Sequence, residues 1–339
     1  MKLGYSVECH NLKFIKPVKT SRNSFEEKNH WVIKIWNKKN PDCVGIGEAA
    51  PLELLSPDFR DNLGSIIEGF LLELAENKAI EELDLEPFPS VKFAIECAFL
   101  DLRNGGKQVY FESNYLSGSP ILINGLVWMN ELDEMLKEGI AKAEAGFKCI
   151  KFKIGQHDFD AECRLIEKFR NTIQGKNTVI RLDANGAFRM DDALEKLKEL
   201  HRFHIHSIEQ PIMAGHWDEM AKICMDSKID IALDEELIGV QYNERQKLLK
   251  HILPHFIILK PTLLGGFAEC EHWISLAKKG DIGWWATSAL ESNIGLNAIA
   301  QWVGKCNTHL HQGLGTGKLY KTNFESKSDI SEGRLIYKN

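Results

Sequence analysis

The sequence predicts an α/β chain: a barrel of alternating strands and helices, preceded by a smaller α+β domain. Three observations carry this. Eight short apolar runs recur after Ile121, separated by charged, amphipathic stretches of helix length. Five consecutive runs close on a charged residue. The first hundred or so residues follow a different rhythm, in which alternating strands give way to helical spacing.

The chain of 339 residues is long enough for one large barrel and a smaller domain. With 44% hydrophobic and 27% charged residues it has an ordinary globular composition. A net charge of −6 and scattered lysines give no footing for nucleic acid. No apolar run approaches the roughly 20 residues needed to span a bilayer. The opening MKLGYSVECHNLKF reads as strand rather than as a secretory leader, so the expected location is cytoplasmic. The cysteines, Cys9, Cys43, Cys97, Cys149, Cys163, Cys224, Cys270 and Cys306, are dispersed without a C-x-x-C pair. They are expected to be reduced, which suits a reducing compartment.

In chain order, Tyr5 to Ile15 and Trp31 to Trp36 alternate β-branched and aromatic residues and predict strands. Asn40-Pro41-Asp42 marks a turn, and Val44 to Glu48 a third strand closing a meander. Ser90 to Leu102 places Phe93, Ile95, Ala98, Phe99 and Leu102 near one helix face, with Ser90 at its start. Arg103 to Pro120, rich in Gly, Ser and Asn, reads as a linker. The apolar runs then follow: ILING (121–125), CIKFKIG (149–155), VIRLDANG (179–186), HSIEQP (206–211), IALDEE (231–236), FIILKP (256–261), IGWWATSALES (282–292) and THLHQG (308–313). Eight βα-length units predict a (β/α)8-type barrel. The tail from about Leu314 is too long for a fraying end and is expected to run back to the first domain.

The closing charges are Lys153, Asp183, Glu209, Asp234 and Lys260, spaced 30, 26, 25 and 26 residues apart. A lone acid at a strand end is usually a helix cap or a solvated loop residue. Five in register with the βα period converge on the C-terminal face of a barrel, where active sites sit. Asp183, Glu209 and Asp234 would repel one another there unless a cation compensated. Three hard oxygen ligands suit Mg²⁺, with Mn²⁺ possible, better than zinc. Strand parity puts Lys151 and Lys153 on one inward face with Cys149, where ammonium groups are costly unless used. The same parity predicts an ion pair between Arg181 and Asp183, and it turns His204 and His206 away from Glu209.

The series K-F-K-I-G, R-L-D-A-N-G, I-E-Q-P, A-L-D-E-E and L-K-P, with G-I-G-E-A-A-P-L near the N-terminus, resembles the muconate-lactonizing subgroup of the enolase superfamily along nearly the whole chain. The resemblance implies a modified TIM barrel, (β/α)7β, over residues 116–313. It also implies an α+β capping domain over residues 1–115, completed by the C-terminal segment 314–339. It assigns Mg²⁺ to Asp183, Glu209 and Asp234, and puts Lys153 and Lys260 on opposite faces of a small carboxylate substrate. It further implies a lysine base working with Mg²⁺ that stabilises an enediolate, as elsewhere in this superfamily. The third ligand stretch ends D-E-E where the subgroup usually has D-E-S, leaving the role of Glu236 open.

Within the subgroup, I-N-G-L-V-W-M, L-K-P-T-L-L-G-G-F, S-A-L-E-S-N-I-G-L and H-Q-G-L-G-T-G resemble a branch of dehydratases. These act on 2-succinyl-6-hydroxy-2,4-cyclohexadiene-1-carboxylate in menaquinone biosynthesis. On that reading Lys153 is the base and Lys260 a standing positive charge. Lys151, Asn185, Glu235 and Ser288 belong to the substrate-binding and supporting set, with Glu235 beside Lys260. Ser288 and Gly313 to Gly317 would receive the succinyl carboxylate. Loops near Thr20-Ser21-Arg22 and Ala50 to Ser56 would lid the site. Two alternatives stay open: a racemase or epimerase using both lysines, and a metal-binding barrel without catalysis. His309 to Gly317 contains no acid to hold a dipeptide's ammonium.

Overall fold

A three-stranded antiparallel meander begins the chain in the computed structural model, which describes residues 2–19 and 24–338. Its strands are β1 (Leu3–Lys19), β2 (Ser24–Asn37) and β3 (Asn40–Ala49), packed on helices α1 (Leu63–Ala75) and α2 (Pro89–Arg103). The tight turn falls at Lys38-Lys39, immediately before the Asn40-Pro41-Asp42 stretch expected from sequence, because Asn37 and Asn40 already pair. Pro41 thereby enters β3, an edge strand, where a missing N–H is tolerated. Helix α2 starts at Pro89 rather than at a Ser90 cap. Ser90 lies in the first turn and donates its N–H (2.8 Å) and hydroxyl (2.6 Å) to Asp58, whose carboxylate takes over the capping role.

Helix α2 is apolar on two sides. Val91, Ala94, Ile95 and Ala98 join the core of the first sheet, whereas Phe93 and Cys97 join the barrel core. The sheet lies almost on the helix backbone: a Cβ on Gly47 would come within 1.9 Å of the Ala94 carbonyl oxygen. That close approach is the reason for glycine in G-I-G-E.

After β4 (Ile121–Leu122) comes the barrel. Its parallel strands are β5 (Gly125–Val127), β6 (Cys149–Lys153), β7 (Val179–Asp183), β8 (Ser207–Glu209), β9 (Asp230–Leu233), β10 (Phe256–Leu259) and β11 (Gly283–Ala286), neighbours in sequence order. Between them run α3 (Leu132–Glu144), α4 (Phe159–Asn171), α5 (Ile173–Lys176), α6 (Ala193–His201), α7 (Trp217–Asp226), α8 (Arg245–Ile252), α9 (Pro261–Leu264) and α10 (Phe267–Lys279). Helix α11 (Asn293–Cys306) follows β11.

Two of the eight runs behave differently from the simple expectation. The first is divided: β4 leaves the barrel and pairs with β13 (Arg334–Tyr337), which forms a hairpin with β12 (Ser328–Ser331). The last provides no strand. Gln312 and Gly313 bridge Ile123 and Thr287, and the Gln312 side chain accepts the Ala286 N–H at 2.8 Å, closing the gap between β5 and β11. The tail passes beside β1, where Tyr320 pairs with Phe14, before reaching that hairpin.

Strand parity divides the interior. Outward residues such as Ile150, Phe152, Leu182, Ile208, Ile231 and Leu259 pack under the helices in the large core. Ala232, Ile258 and Trp285 face inward as a small apolar floor. Arg181 stacks on Trp285 (3.7 Å to the ring centre) and donates to the His311 carbonyl at 2.7 Å. The Arg181–Asp183 ion pair expected from sequence is not formed. The guanidinium is taken up by Trp285 and the His311 carbonyl, and Lys151, in the same layer, reaches Asp183 instead.

Cap and barrel are joined by a buried polar contact. Glu48, at the end of β3, accepts hydrogen bonds from His30 Nδ1 (2.6 Å), Ser292 N (2.8 Å), Ser292 Oγ (2.5 Å) and Gly295 N (2.7 Å). Burial alone would raise this carboxyl, but the hydrogen bonds hold it down to about 2 from an ordinary 4.5. A depressed carboxylate contributes stability above its unfolded value and loses it as pH falls towards the folded one. Glu48→Gln is therefore expected to cost about 2–4 kcal/mol at pH 7. The gap from wild type should shrink as pH drops below 4.5, as read by denaturant midpoints across pH.

Candidate active site

The register of the parallel strands sets the charged side chains level. Lys153 on β6 lies opposite Asp183 on β7, which lies opposite Glu209 on β8. Asp234 and Lys260 directly follow β9 and β10. All five are buried, as is Lys151. Each carboxylate is drawn to a lysine. Lys153 Nζ stands 2.9 Å from Asp183, Lys151 Nζ 2.7 Å from Glu209 and 3.3 Å from Asp183, and Lys260 bonds Asp234. Lys260 also lies 4.0 Å from Glu209 Oε1.

The supporting residues knit this group together. Asn185, at φ 46°, accepts from Lys153 Nζ at 2.6 Å and donates from its amide to Glu235 at 3.0 Å. The Lys153 ammonium also sits 5.6 Å from the centre of the Trp128 ring. Gln210, part of I-E-Q-P but given no role from sequence, accepts the Asp234 and Glu236 N–H groups at 3.1 and 3.3 Å. Glu236 in turn accepts from the Gln210 amide (3.1 Å) and from Gly215 N (2.8 Å). It braces two loops, which answers what the D-E-E departure leaves open. His204 and His206 contact none of these side chains; His206 meets Ser207 Oγ at 2.9 Å and the Phe256 ring.

Electrostatics follow from burial and pairing. Burial, then the Asp183 charge, push the Glu209 carboxyl up to about 7, against the pull of Lys151. Burial would raise Asp183 too, but Lys153 and Lys151 hold it well below the carboxylate range. Burial alone would lower the Lys260 ammonium, yet Asp234, Glu209 and Glu235 hold it above the usual lysine value. Lys151 is raised in the same way, against burial, by Glu209 and Asp183.

Among the described residues, no three acidic, histidine or cysteine side chains converge as a finished cation cage, since the lysines stand between the carboxylates. The donor set nonetheless fits a hard divalent ion: three carboxylates on neighbouring strand ends, with Glu209 Oε1 buried and accepting no hydrogen bond.

A cavity of about 580 Å³ opens onto the group, a size that suits a small organic ligand. Lys151, Lys153, Asp183, Asn185 and Lys260 line one part of it, and Val18, Leu52 and Leu55 reach it from the cap side. The Ala50 to Ser56 loop thus borders the cavity as expected, whereas Thr20-Ser21-Arg22 lies outside the described residues. Ser288, Gly313, Gly315 and Thr316 line it as well. Two donors expected for a ligand are committed within the protein. The Ser288 hydroxyl donates to Glu291 at 2.6 Å, and Gly313 N donates to the Ala286 carbonyl at 2.8 Å.

Residues 134–339 match the model of the enolase C-terminal domain-like family. The o-succinylbenzoate synthase of Desulfotalea psychrophila is 49% identical over 73% of this chain and 68% of its own length. The crystal structure of MenC from Desulfotalea psychrophila LSv54 superposes with a TM-score of 0.85 at 38% identity, covering 99% of both chains. The L-Ala-D/L-Glu epimerase of Bacillus subtilis also superposes at 0.85, but at 20% identity it shares the fold alone, over 99% of this chain and 96% of its own.

Proposed function

The chain belongs to the enolase C-terminal domain-like family, and from that premise we propose that it is an o-succinylbenzoate synthase. The reaction is loss of water from 2-succinyl-6-hydroxy-2,4-cyclohexadiene-1-carboxylate, a step of menaquinone biosynthesis. The observation that carries the proposal is the placement of Lys153 and Lys260 on one cavity with three carboxylates between their strands.

The proton on the ring carbon α to the carboxylate is weakly acidic, and its removal leaves negative charge on that carboxylate. Mg²⁺, which Asp183, Glu209 and Asp234 would hold, supplies electrostatic stabilisation of that charge when bound. Lys153, as the neutral amine, takes the proton. Now an ammonium, it returns the proton to the departing hydroxide on the same face, so that water leaves and the ring becomes aromatic. Lys260 stays charged and stabilises the anion from the other side. Lys151 ties Asp183 to Glu209, while Asn185 links Lys153 to Glu235 and so fixes the direction of its amine.

The same two lysines would suit two-base racemisation, so the test is run on both chemistries. With Mg²⁺, the protein is expected to convert the cyclohexadiene to a product lighter by one water. With N-succinyl amino acids or dipeptides in deuterated solvent, exchange at Cα should be at least about a hundredfold slower. Fast exchange without dehydration would overturn the proposal in favour of a racemase.

A further inference from the structure

A fourth buried lysine lies outside the group described above. Lys28, on β2 of the cap, is 6% exposed, and its ammonium donates to the Ala289 carbonyl at 2.7 Å and the Leu290 carbonyl at 3.0 Å. Those two residues belong to the segment after β11 that forms a wall of the cavity. Leu290 has φ 63°, the left-handed region that a branched side chain rarely adopts.

What holds Leu290 there comes from outside the barrel strands. Its carbonyl takes a second hydrogen bond, from the Tyr320 hydroxyl at 2.7 Å, and its side chain packs among Leu12, Phe14, Phe25 and Leu52. On its other flank, Glu291 accepts from Thr262 Oγ1 (2.5 Å), Ser288 Oγ (2.6 Å) and Ala289 N (2.9 Å). Burying an ammonium is costly, and the hydrogen bonds that offset the cost here go to one strained turn of the cavity wall.

We propose that Lys28 is a positioning residue: it clamps the Ala289–Leu290 turn from the cap, and thereby sets the shape of the pocket that receives the part of the substrate away from the reacting carbon. The inference rests on the dehydratase reading for its substrate but not for its geometry. Lys28 hydrogen-bonds none of Lys153, Lys260 or the three carboxylates. Its loss therefore acts on substrate binding more than on the chemical step.

The test compares wild type with Lys28→Met, which keeps the buried stem without donors, and Lys28→Gln, which keeps two N–H donors on a shorter stem. In the full-length protein with Mg²⁺, Lys28→Met is expected to raise KM about tenfold with kcat within about threefold, and Lys28→Gln to fall between it and wild type. Amide hydrogen exchange over residues 287–295 should quicken in Lys28→Met, a readout that needs no substrate. Unchanged KM and unchanged exchange would overturn the inference, as would a fall in kcat with KM unaltered. If Lys28→Met does not fold, Lys28→Gln decides by the same two readouts. Failure of wild type itself to turn over the cyclohexadiene would count against the dehydratase reading, and the exchange result would still decide the clamp.

Discussion

Lys153→Ala is expected to lower kcat by about 10²- to 10⁴-fold, the contribution of a positioned general base, while the protein stays folded. The lysine is buried, but its ammonium serves two acceptors, Asp183 and Asn185, that keep other partners: Lys151 for the first and Glu235 for the second. Its removal therefore empties the proton-transfer position without stripping the neighbouring carboxylate of every counter-charge. Lys153→Arg sharpens the point. Arginine keeps the positive charge but cannot give up its proton at working pH, so it should be as inactive as alanine. At position 260 the same exchange should retain part of the activity, because there the charge and not the proton is used. Turnover followed by the absorbance of the aromatic product, with circular dichroism as the folding control, checks all three variants.

Glu209→Gln should produce the second large effect. Glu209 sits between Asp183 and Asp234, and burial with the Asp183 charge already works against its ionisation. Its Oε1 is buried and accepts no hydrogen bond. Glutamine preserves the shape, relieves the repulsion and removes a hard anionic ligand. Mg²⁺ affinity is expected to weaken at least about a hundredfold, and activity to fall with it. The melting temperature should move by only a few degrees, because the lost Lys151 pairing and the relieved repulsion oppose each other. Titration calorimetry with Mg²⁺ alone measures the first quantity. Unchanged Mg²⁺ affinity would remove Glu209 from the proposed ligand set.

The sequence carried the part of this arrangement that follows a period. Lys153, Asp183, Glu209, Asp234 and Lys260 close successive apolar runs, and parallel pairing brings such positions level. The family resemblance supplied the rest of the frame, including the (β/α)7β count. What stayed hidden depends on contacts between residues far apart in the chain. Lys28 stands in SFEEKNHW, a stretch that carries no motif, and its partners lie beyond residue 288. Gln210 follows a ligand candidate directly, yet its bracing of Asp234 and Glu236 requires the fold of two loops. Parity predicts the inward face of Arg181 but not its partners, because Trp285 and the His311 carbonyl, which take the guanidinium in place of Asp183, lie far along the chain. The split of the first run into β4 and β5 depends on a hairpin more than 200 residues downstream.

The central claim is that a lysine base and a divalent cation act together on a carboxylate substrate at these strand ends. Its most direct measurement is the ultraviolet absorbance of o-succinylbenzoate when chelator-treated wild-type protein is mixed with 2-succinyl-6-hydroxy-2,4-cyclohexadiene-1-carboxylate, before and after Mg²⁺ is added. The account predicts a rate near background with chelator and rapid aromatic product once Mg²⁺ is restored. Equal rates with and without the cation, or no product in its presence, would contradict it.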